Sequence, residues 1–361
     1  MTDSSTEAGP VSVPGTTPVP DAGSGKITGS ITGSIAGSTT GPDAGESVAT
    51  TVEEAAAAAV ADARDTVAVA AVTYDRHEEL AQLLHSLAAQ SAPIARVALV
   101  DSGTKPATDV VDAATAAGSA IHYLRSEANL GGAGGFAFAI LAALASGARW
   151  IWLMDDDGHP EDERCLAELL RAAHEHDLDI VSPLVAATDD PTRLSFNFRI
   201  NGLLTNDRAT LEPLGYLPDM VHFFNGALIR AEVFSTIGLP DMKYFIRGDE
   251  VDFLARVRKA GLKYGTLATV AVRHPATWSE MKPIFGGFIT PVIPDGDFKR
   301  FSYFRNRAYN ARKYRNLRWF GADVVGFPYY FLTRRDLKGL RAWFAAYSAG
   351  LRGTGFGPPP S

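Results

Sequence analysis

The sequence predicts an α/β protein whose core is a mainly parallel sheet wrapped by helices on both faces. Two observations carry this. From residue 66 onward, short runs of small and branched apolar residues alternate with segments whose leucines recur at helical spacing. Those runs lack polar alternation and end in Thr, Asp or Ser, as strands buried on both faces do. With 361 residues, 46% of them hydrophobic, the chain can bury one large domain of this kind and carry appendages on it.

Thr66 to Thr73 reads as the first strand, and Leu80, Leu83, Leu84 and Leu87 mark the apolar face of the helix after it. Arg96 to Val100 reads as the second strand, ending in Asp101-Ser102-Gly103. A helix over 107–117 and a strand over Ile121 to Leu124 follow. Next come a Gly-rich stretch at 131–135, a helix from Phe136 to Ser146, and the strand Trp150 to Met154, which delivers Asp155, Asp156 and Asp157. Chemistry in such sheets sits beyond the carboxyl ends of the strands. The second half is less regular: Asp179 to Ser182, a polar-aromatic stretch at 193–206, Phe223 to Ile229, a helix over 250–260, and Tyr264 to Val272. Past 297 the chain reads as helical, with Pro328 expected to break the helix.

Residues 1–50 are rich in Gly, Ser, Thr, Pro and Ala, with a near-repeat of Ile-Thr-Gly-Ser across 27–38, and read as a disordered tail. The alanine run that follows Glu53 and Glu54 is expected to form a short helix leading into the domain. The start of the chain lacks the positive charge and apolar run of a secretory signal, and no uncharged stretch reaches about 18 apolar residues, so a cytoplasmic chain without a membrane span is expected. Cys165, the single cysteine, excludes an intramolecular disulfide and reads as a small packed residue.

The net charge of −7 hides an asymmetry. Residues 297–361 hold thirteen Lys or Arg against three acids, about +10, which leaves about −17 for the rest. A basic block interleaved with Phe, Tyr and Trp points to an anionic surface or ligand. No nucleic-acid-binding motif accompanies it, so nucleic acid is not an expected partner.

Three consecutive carboxylates at the tip of a buried strand repel one another and lose solvation, a cost that a divalent cation relieves. Oxygen donors suit Mg²⁺ or Mn²⁺. Such an ion can bridge a diphosphate and neutralise charge on a departing nucleoside diphosphate. The alternative is an acidic turn ahead of the next helix, since Gly158, His159 and Pro160 are turn residues; the strand-end position favours the metal. Asn129-Leu-Gly-Gly-Ala-Gly-Gly135 lies between a strand and a helix, where a close backbone approach to phosphate or ribose would require glycine. Its glycines also imitate a dinucleotide-binding fingerprint, but on the third strand-helix unit rather than the first. Tyr74 and Asp75 after the first strand, and Asp101 after the second, stand where a nucleotide would lie, and Asp101 suits a pyrimidine N–H. An ordinary turn around Asp101 is an equal reading. Asp249, Glu250 and Asp252 open a helix, where acids also serve simply as caps. His274 closes a strand and offers a nitrogen ligand to an acidic metal site.

In this order, the Val-Thr-Tyr-Asp-Arg opening at 72–76, Val-Asp-Ser-Gly at 100–103, the Gly-rich string, the Asp triplet, Phe-Asn-Gly-Ala-Leu-Ile-Arg at 224–230, Asp-Glu-Val-Asp-Phe at 249–253, His274 and Tyr-Phe-Arg-Asn-Arg-Ala-Tyr at 303–309 resemble the GT-A glycosyltransferases of family two. The resemblance spans roughly residues 66–315 and is fullest to the actinobacterial galactofuranosyltransferases that start cell-wall galactan. It implies a GT-A fold over 66–296, with a nucleotide-binding half at 66–158 and an acceptor half at 159–296; the basic, aromatic and helical region at 297–361 fits a membrane surface, a packed helical extension with a solvated face being a nearly equal reading. It also implies a UDP-galactofuranose donor, a polyprenyl-diphosphate-linked GlcNAc-rhamnose acceptor at the inner leaflet of the cytoplasmic membrane, Mn²⁺ or Mg²⁺, and inversion at the anomeric carbon.

Carried onto this chain, the family's motifs assign metal binding to Asp155, Asp157 and His274. The nucleotide-sugar falls to Thr73, Tyr74, Asp75, Asp101, Asn129, Gly131, Gly132, Asp155 and Asp156, and the acceptor to Asn225, Gly226 and Trp278. The general base falls by register to Glu250 of the pair Asp249-Glu250, with Asp249 the other choice. Competing readings are a family-two enzyme with another donor such as dTDP-rhamnose, a nicotinamide-dependent oxidoreductase using the Gly-rich string, and a catalytically silent lipid-carrier protein.

Overall fold

A computed structural model describes residues 65–200, 203–276, 278–287 and 289–358; the N-terminal tail and the alanine run lie outside the described residues. The first half alternates strand and helix. β1 (Val67–Thr73), α1 (His77–Ala88), β2 (Ile94–Asp101), α2 (Thr108–Ala116), β3 (Ile121–Arg125), α3 (Gly131–Leu144) and β4 (Trp150–Asp155) build a parallel sheet in the order β3-β2-β1-β4. After the two-residue β5 (His159–Pro160) and α4 (Cys165–Glu175), β6 (Ile180–Ala187) continues the sheet, and β7 (Arg193–Ile200) and β8 (Leu203–Asp207) form a hairpin beside it. The short α5 (Arg208–Leu211) and β9 (Tyr216–Pro218) lead to β10 (Asn225–Arg230), which runs antiparallel between β4 and β6. Then come α6 (Ala231–Ile237), α7 (Asp249–Ala260) and β11 (Tyr264–His274), the last parallel to β6. The sheet is therefore mixed and mainly parallel.

β1 shows why its sequence has no polar alternation. Val67, Val69 and Ala71 pack on one face with Leu80, Leu83 and Leu84 of α1 and Leu166 and Leu169 of α4. Ala68, Ala70 and Val72 pack on the other with Phe136 and Ile140 of α3 and Phe253 of α7. Truncating a leucine as buried as Leu80 or Leu83 costs about 2–5 kcal/mol. Cys165 is buried within the first of these layers, as its composition reading required, and burial pushes its thiol up.

The C-terminal region is helical throughout: α8 (Asp297–Lys313), α9 (Leu317–Thr333) and α10 (Leu337–Arg352) share a core of Phe304, Phe327, Phe331, Trp343 and Tyr347. Two expectations are corrected. Pro328 does not break the helix but lies inside α9, where Phe327, Tyr330 and Phe331 on either side are packed into that core and hold the turn. The breaks fall instead at Arg315 and Arg335, both left-handed at φ 51° and 56°. The helix after β3 begins at Gly131, not Phe136, because Gly134 and Gly135 pack closely on Leu130, Met242 and Val72; tertiary contact overrides glycine's poor helix propensity. Among the described residues, no helix is long and apolar enough to cross a membrane.

Candidate active site

The acidic triplet ends β4, beside the carboxyl end of β1, and its members have different partners. Asp156 is buried and fully engaged: Oδ2 accepts from Thr73 Oγ1 at 2.8 Å and the Tyr74 amide at 3.0 Å, and Oδ1 accepts from Arg76 Nη1 at 2.8 Å. It ties the two strand ends together. The same Arg76 nitrogen reaches Asp157 Oδ2 at 2.5 Å. Asp157 Oδ1 is buried without a hydrogen-bond partner, and it lies 3.3 Å from Nε2 of His274 at the end of β11. Nδ1 of His274 is 2.7 Å from the Pro275 carbonyl, an acceptor, so Nδ1 carries a proton and Nε2 is the nitrogen that faces the carboxylates.

Burial and the charges of Asp157 and Asp156 raise Asp155 to about 7. Burial also raises Asp156, against the pull of Arg76. For Asp157 burial is outweighed by His274 and Arg76, which hold it below its ordinary value. Burial opposes the charged forms of His274 and Arg76, but the carboxylates outweigh it and both are held above their ordinary values. One oxygen from each of the three acids lies within 4.8 Å of the others. Three oxygen donors this close, with the Asp157 oxygen left without a hydrogen bond and an imidazole nitrogen 3.3 Å from it, make a donor set that fits a divalent cation.

The other wall is the start of α7. Asp249 is buried, and its carboxyl is pushed well up by desolvation and by the charge of Glu250. Glu250 is exposed, and its Oε2 accepts from the Gly248 amide at 2.8 Å. Asp155, His274, Asp249, Glu250, Asn225 and Gly132 all line one cleft of ≈ 530 Å³. Asn225 Oδ1 is buried there without a partner.

The loop that presents the acid pair is strained, with Phe245, Arg247 and Gly248 at φ 66°, 62° and 89°. α8 holds it in place. The amide of Asn306 lies 3.0 Å from the carbonyls of Tyr244 and Ile246 and 2.6 Å from that of Arg247; Asn310 donates to the Gly248 carbonyl at 2.9 Å, and the buried Arg305 donates to that of Tyr244 at 2.9 Å. Arg247 is itself held by Glu280 in a two-bond pair of 2.7 and 2.8 Å. Sequence reasoning spelled out the motif around Asn306 without giving it a role. The available signal was two asparagines four residues apart inside a helix, where Asn is disfavoured unless its amide serves backbone elsewhere. His222 was also missed: it lines the cleft, stacks on Phe196 at 5.0 Å, and is pushed down to about 4 by burial and His274, hence neutral.

The remaining predicted residues are dispersed. Asp75 Oδ1 accepts from the amides of Thr104 and Lys105, fixing the loop after β2. Asp101 is buried, with Oδ1 on the Gly103 amide and Oδ2 on the Ala107 amide and the Tyr123 hydroxyl. Tyr74 is exposed. Asn129 caps the Gly131 amide at 2.9 Å. The close approach that demands glycine at 131 is to protein: a Cβ there would stand 2.3 Å from the Phe245 carbonyl oxygen, at φ 64°. Only Gly132 opens on the cleft. Gly226 is buried under the cleft between Pro183 and Val272, its carbonyl accepting from Trp152 Nε1 at 2.8 Å. Trp278 does not line the cleft; Arg193 stacks on its ring at 3.6 Å and its Nε1 donates to the Leu194 carbonyl.

A mainly parallel sheet with strand-end acids facing a second acid pair across a cleft is the architecture of a GT-A glycosyltransferase. Residues 68–238 match the glycosyl transferase family 2 profile. The chain is 42% identical over 303 residues to the galactofuranosyltransferase GlfT1 of Mycobacterium tuberculosis, covering 82% of this chain and 98% of that one. It is 40% identical over 296 residues to the GlfT1 of Mycolicibacterium smegmatis, covering 80% and 97%. S. aureus TarS 1–349, solved in complex with UDP-GlcNAc, is similar at a TM-score of 0.51 and 13% identity over 80% of this chain and 82% of that one, a likeness of fold alone. The chain belongs to glycosyltransferase family 2, among its galactofuranosyltransferases. It is a hexosyltransferase, and the oxidoreductase reading falls away.

Proposed function

We propose that the chain transfers galactofuranose from UDP-galactofuranose to a polyprenyl-diphosphate-linked GlcNAc-rhamnose acceptor, with inversion, at the inner leaflet of the cytoplasmic membrane. The observation that supports this most is the shared cleft, lined by Asp155 and His274 and by the acid pair Asp249-Glu250, with Asp157 3.3 Å from His274 Nε2. Asp155, Asp157 and His274 would hold Mn²⁺ or Mg²⁺, which when bound would supply electrostatic stabilisation to a departing diphosphate.

The protein's own residues do the rest. Asp156 ties the ends of β1 and β4 together, beside Asp155, which lines the cleft. Gly132 lets the donor approach the backbone of α3, and the orphaned Asn225 oxygen accepts from a sugar hydroxyl. Glu250 is the base, because it is exposed to the cleft while Asp249 is buried and its carboxyl is pushed well above its ordinary value by desolvation and by Glu250. It takes the proton of the acceptor hydroxyl as that oxygen attacks the anomeric carbon, and UDP leaves from the opposite face. A positioned base of this kind contributes on the order of 10² to 10⁴ in rate.

The test is transfer by purified protein from UDP-galactofuranose to a synthetic lipid-linked rhamnosyl acceptor, with and without EDTA. Product formation that EDTA abolishes and Mn²⁺ or Mg²⁺ restores is expected. Product that survives EDTA removes the metal from the reading, and preferential use of dTDP-rhamnose in the same assay removes the donor.

A further inference from the structure

One side of α9 is packed and the other is bare. Phe327, Tyr330 and Phe331 face the helical core. Leu317, Val325, Tyr329 and Leu332 lie along the other side and are exposed, Leu317 by 80%, Val325 by 55% and Leu332 by 54%, while Phe320 and Val324 sit half-exposed at the margin of the packed side, Phe320 against Tyr347. Arg318, on the first turn, is the one charged side chain along this stripe, and from Gly321 to Leu332 it is uncharged. Phe285, also exposed, stacks on Tyr329 at 4.1 Å and widens it. Beyond the turn, α10 continues the exposure with Leu337 and Phe344, two helical turns apart on the same side. A contiguous apolar stripe of this length marks a surface that something covers.

The charges around it say what. Arg318 flanks the first turn of α9, Arg334, Arg335 and Lys338 stand at the tip between α9 and α10, and Arg341 is one turn further. All five are exposed, and none has an ion-pair partner among the described residues. The only acids between 314 and 358 are Asp323, which is buried, and Asp336, which caps α10 through the Gly339 amide. A second copy laid face to face would match the apolar stripes but set five unpaired cations against five more. An anionic bilayer satisfies both features at once.

We infer that the outer face of α9 and the α9–α10 tip lie in the interface of an anionic lipid bilayer, with the stripe among the acyl chains and the cations at headgroup phosphates. This rests on the reading of a lipid-linked acceptor and gives that acceptor's membrane a specific seat on the protein.

The test is sedimentation of the full chain with vesicles of phosphatidylglycerol and phosphatidylcholine, and with phosphatidylcholine alone. Binding to the mixed vesicles that weakens with salt is expected, together with about a tenfold or greater loss in a Val325→Asp/Leu332→Asp double variant. Both positions face solvent, and an unchanged melting temperature confirms that the variant folds. Transfer to a short-chain, water-soluble acceptor reads the proposed activity separately and is expected to be unchanged in the variant. Vesicle binding unaffected by the double substitution overturns the inference, as does a concentration-dependent dimer in sedimentation velocity that the double substitution abolishes. Salt-sensitive vesicle binding by a wild-type protein that transfers nothing to the soluble acceptor supports this surface and counts against the enzymatic reading alone.

Discussion

Asn306 donates its side-chain amide to the main-chain oxygen of Arg247 at 2.6 Å, so the C-terminal helix α8 holds the strained turn that presents the acid pair. Asn306→Ala leaves three carbonyls without that donor, at a cost of about 1–3 kcal/mol for the buried ones. Because a small displacement of reacting groups costs about 10²-fold, kcat is expected to fall by that order while KM for the donor changes little. Steady-state kinetics of the purified variant check it; a fall in stability with kcat intact would make Asn306 structural only.

The two acids of α7 are expected to respond differently to loss of charge. Glu250→Gln should lower transfer by about 10² to 10⁴ while UDP binding stays near wild type. Burial and the charge of Glu250 push the Asp249 carboxyl well above its ordinary value, so Asp249→Asn should cost less than Glu250→Gln and leave the melting temperature nearly unchanged. Turnover and calorimetric UDP binding separate them, and near-normal turnover in Glu250→Gln would move the base to Asp249.

Metal affinity should follow the protonation of Asp155. Its pKa without metal is raised to about 7, so a proton competes with the ion below that pH. Apparent affinity for Mn²⁺ is therefore expected to rise with pH through about 7 as Asp155, and with it His274, whose imidazole is also held above its ordinary value, give up their protons. The metal-free protein shows the opposite trend in stability: a carboxyl whose folded pKa exceeds its unfolded value of about 3.9 contributes stability when protonated, which is lost as pH climbs from there to about 7. Titration calorimetry and melting curves across pH 5–8 check the two trends, and a flat affinity profile would exclude Asp155 as a ligand.

Adjacent glycines should differ sharply. Gly131→Ala forces a side chain into a left-handed position against the Phe245 oxygen and is expected to destabilise the fold by about 1–3 kcal/mol, visible as a lowered melting temperature. Gly132→Ala meets nothing within 4 Å and should fold normally while raising KM for the nucleotide sugar.

β1 was legible in the sequence because both of its faces are covered, which leaves an uninterrupted apolar run, and the Asp triplet was legible because so much charge at such a strand end has few structural uses. The division of labour within the triplet was not. Asp155, Asp156 and Asp157 are the same letter, and what separates them is Thr73 and Arg76, some eighty residues away in the chain. The antiparallel run of β10 was hidden because composition carries no direction. The early start of α3 and the passage of α9 through Pro328 were hidden for a common reason: packing from elsewhere overruled a local preference.

Arg76 reaches both Asp156 and Asp157 with one nitrogen, which gives the triplet a resident counterion of its own. Removing the divalent ion therefore does not leave three naked carboxylates to push the strand end open. With an ion held there as proposed, Arg76 makes exchange of one divalent ion for another an expected event within a folded protein rather than a cycle of unfolding and refolding.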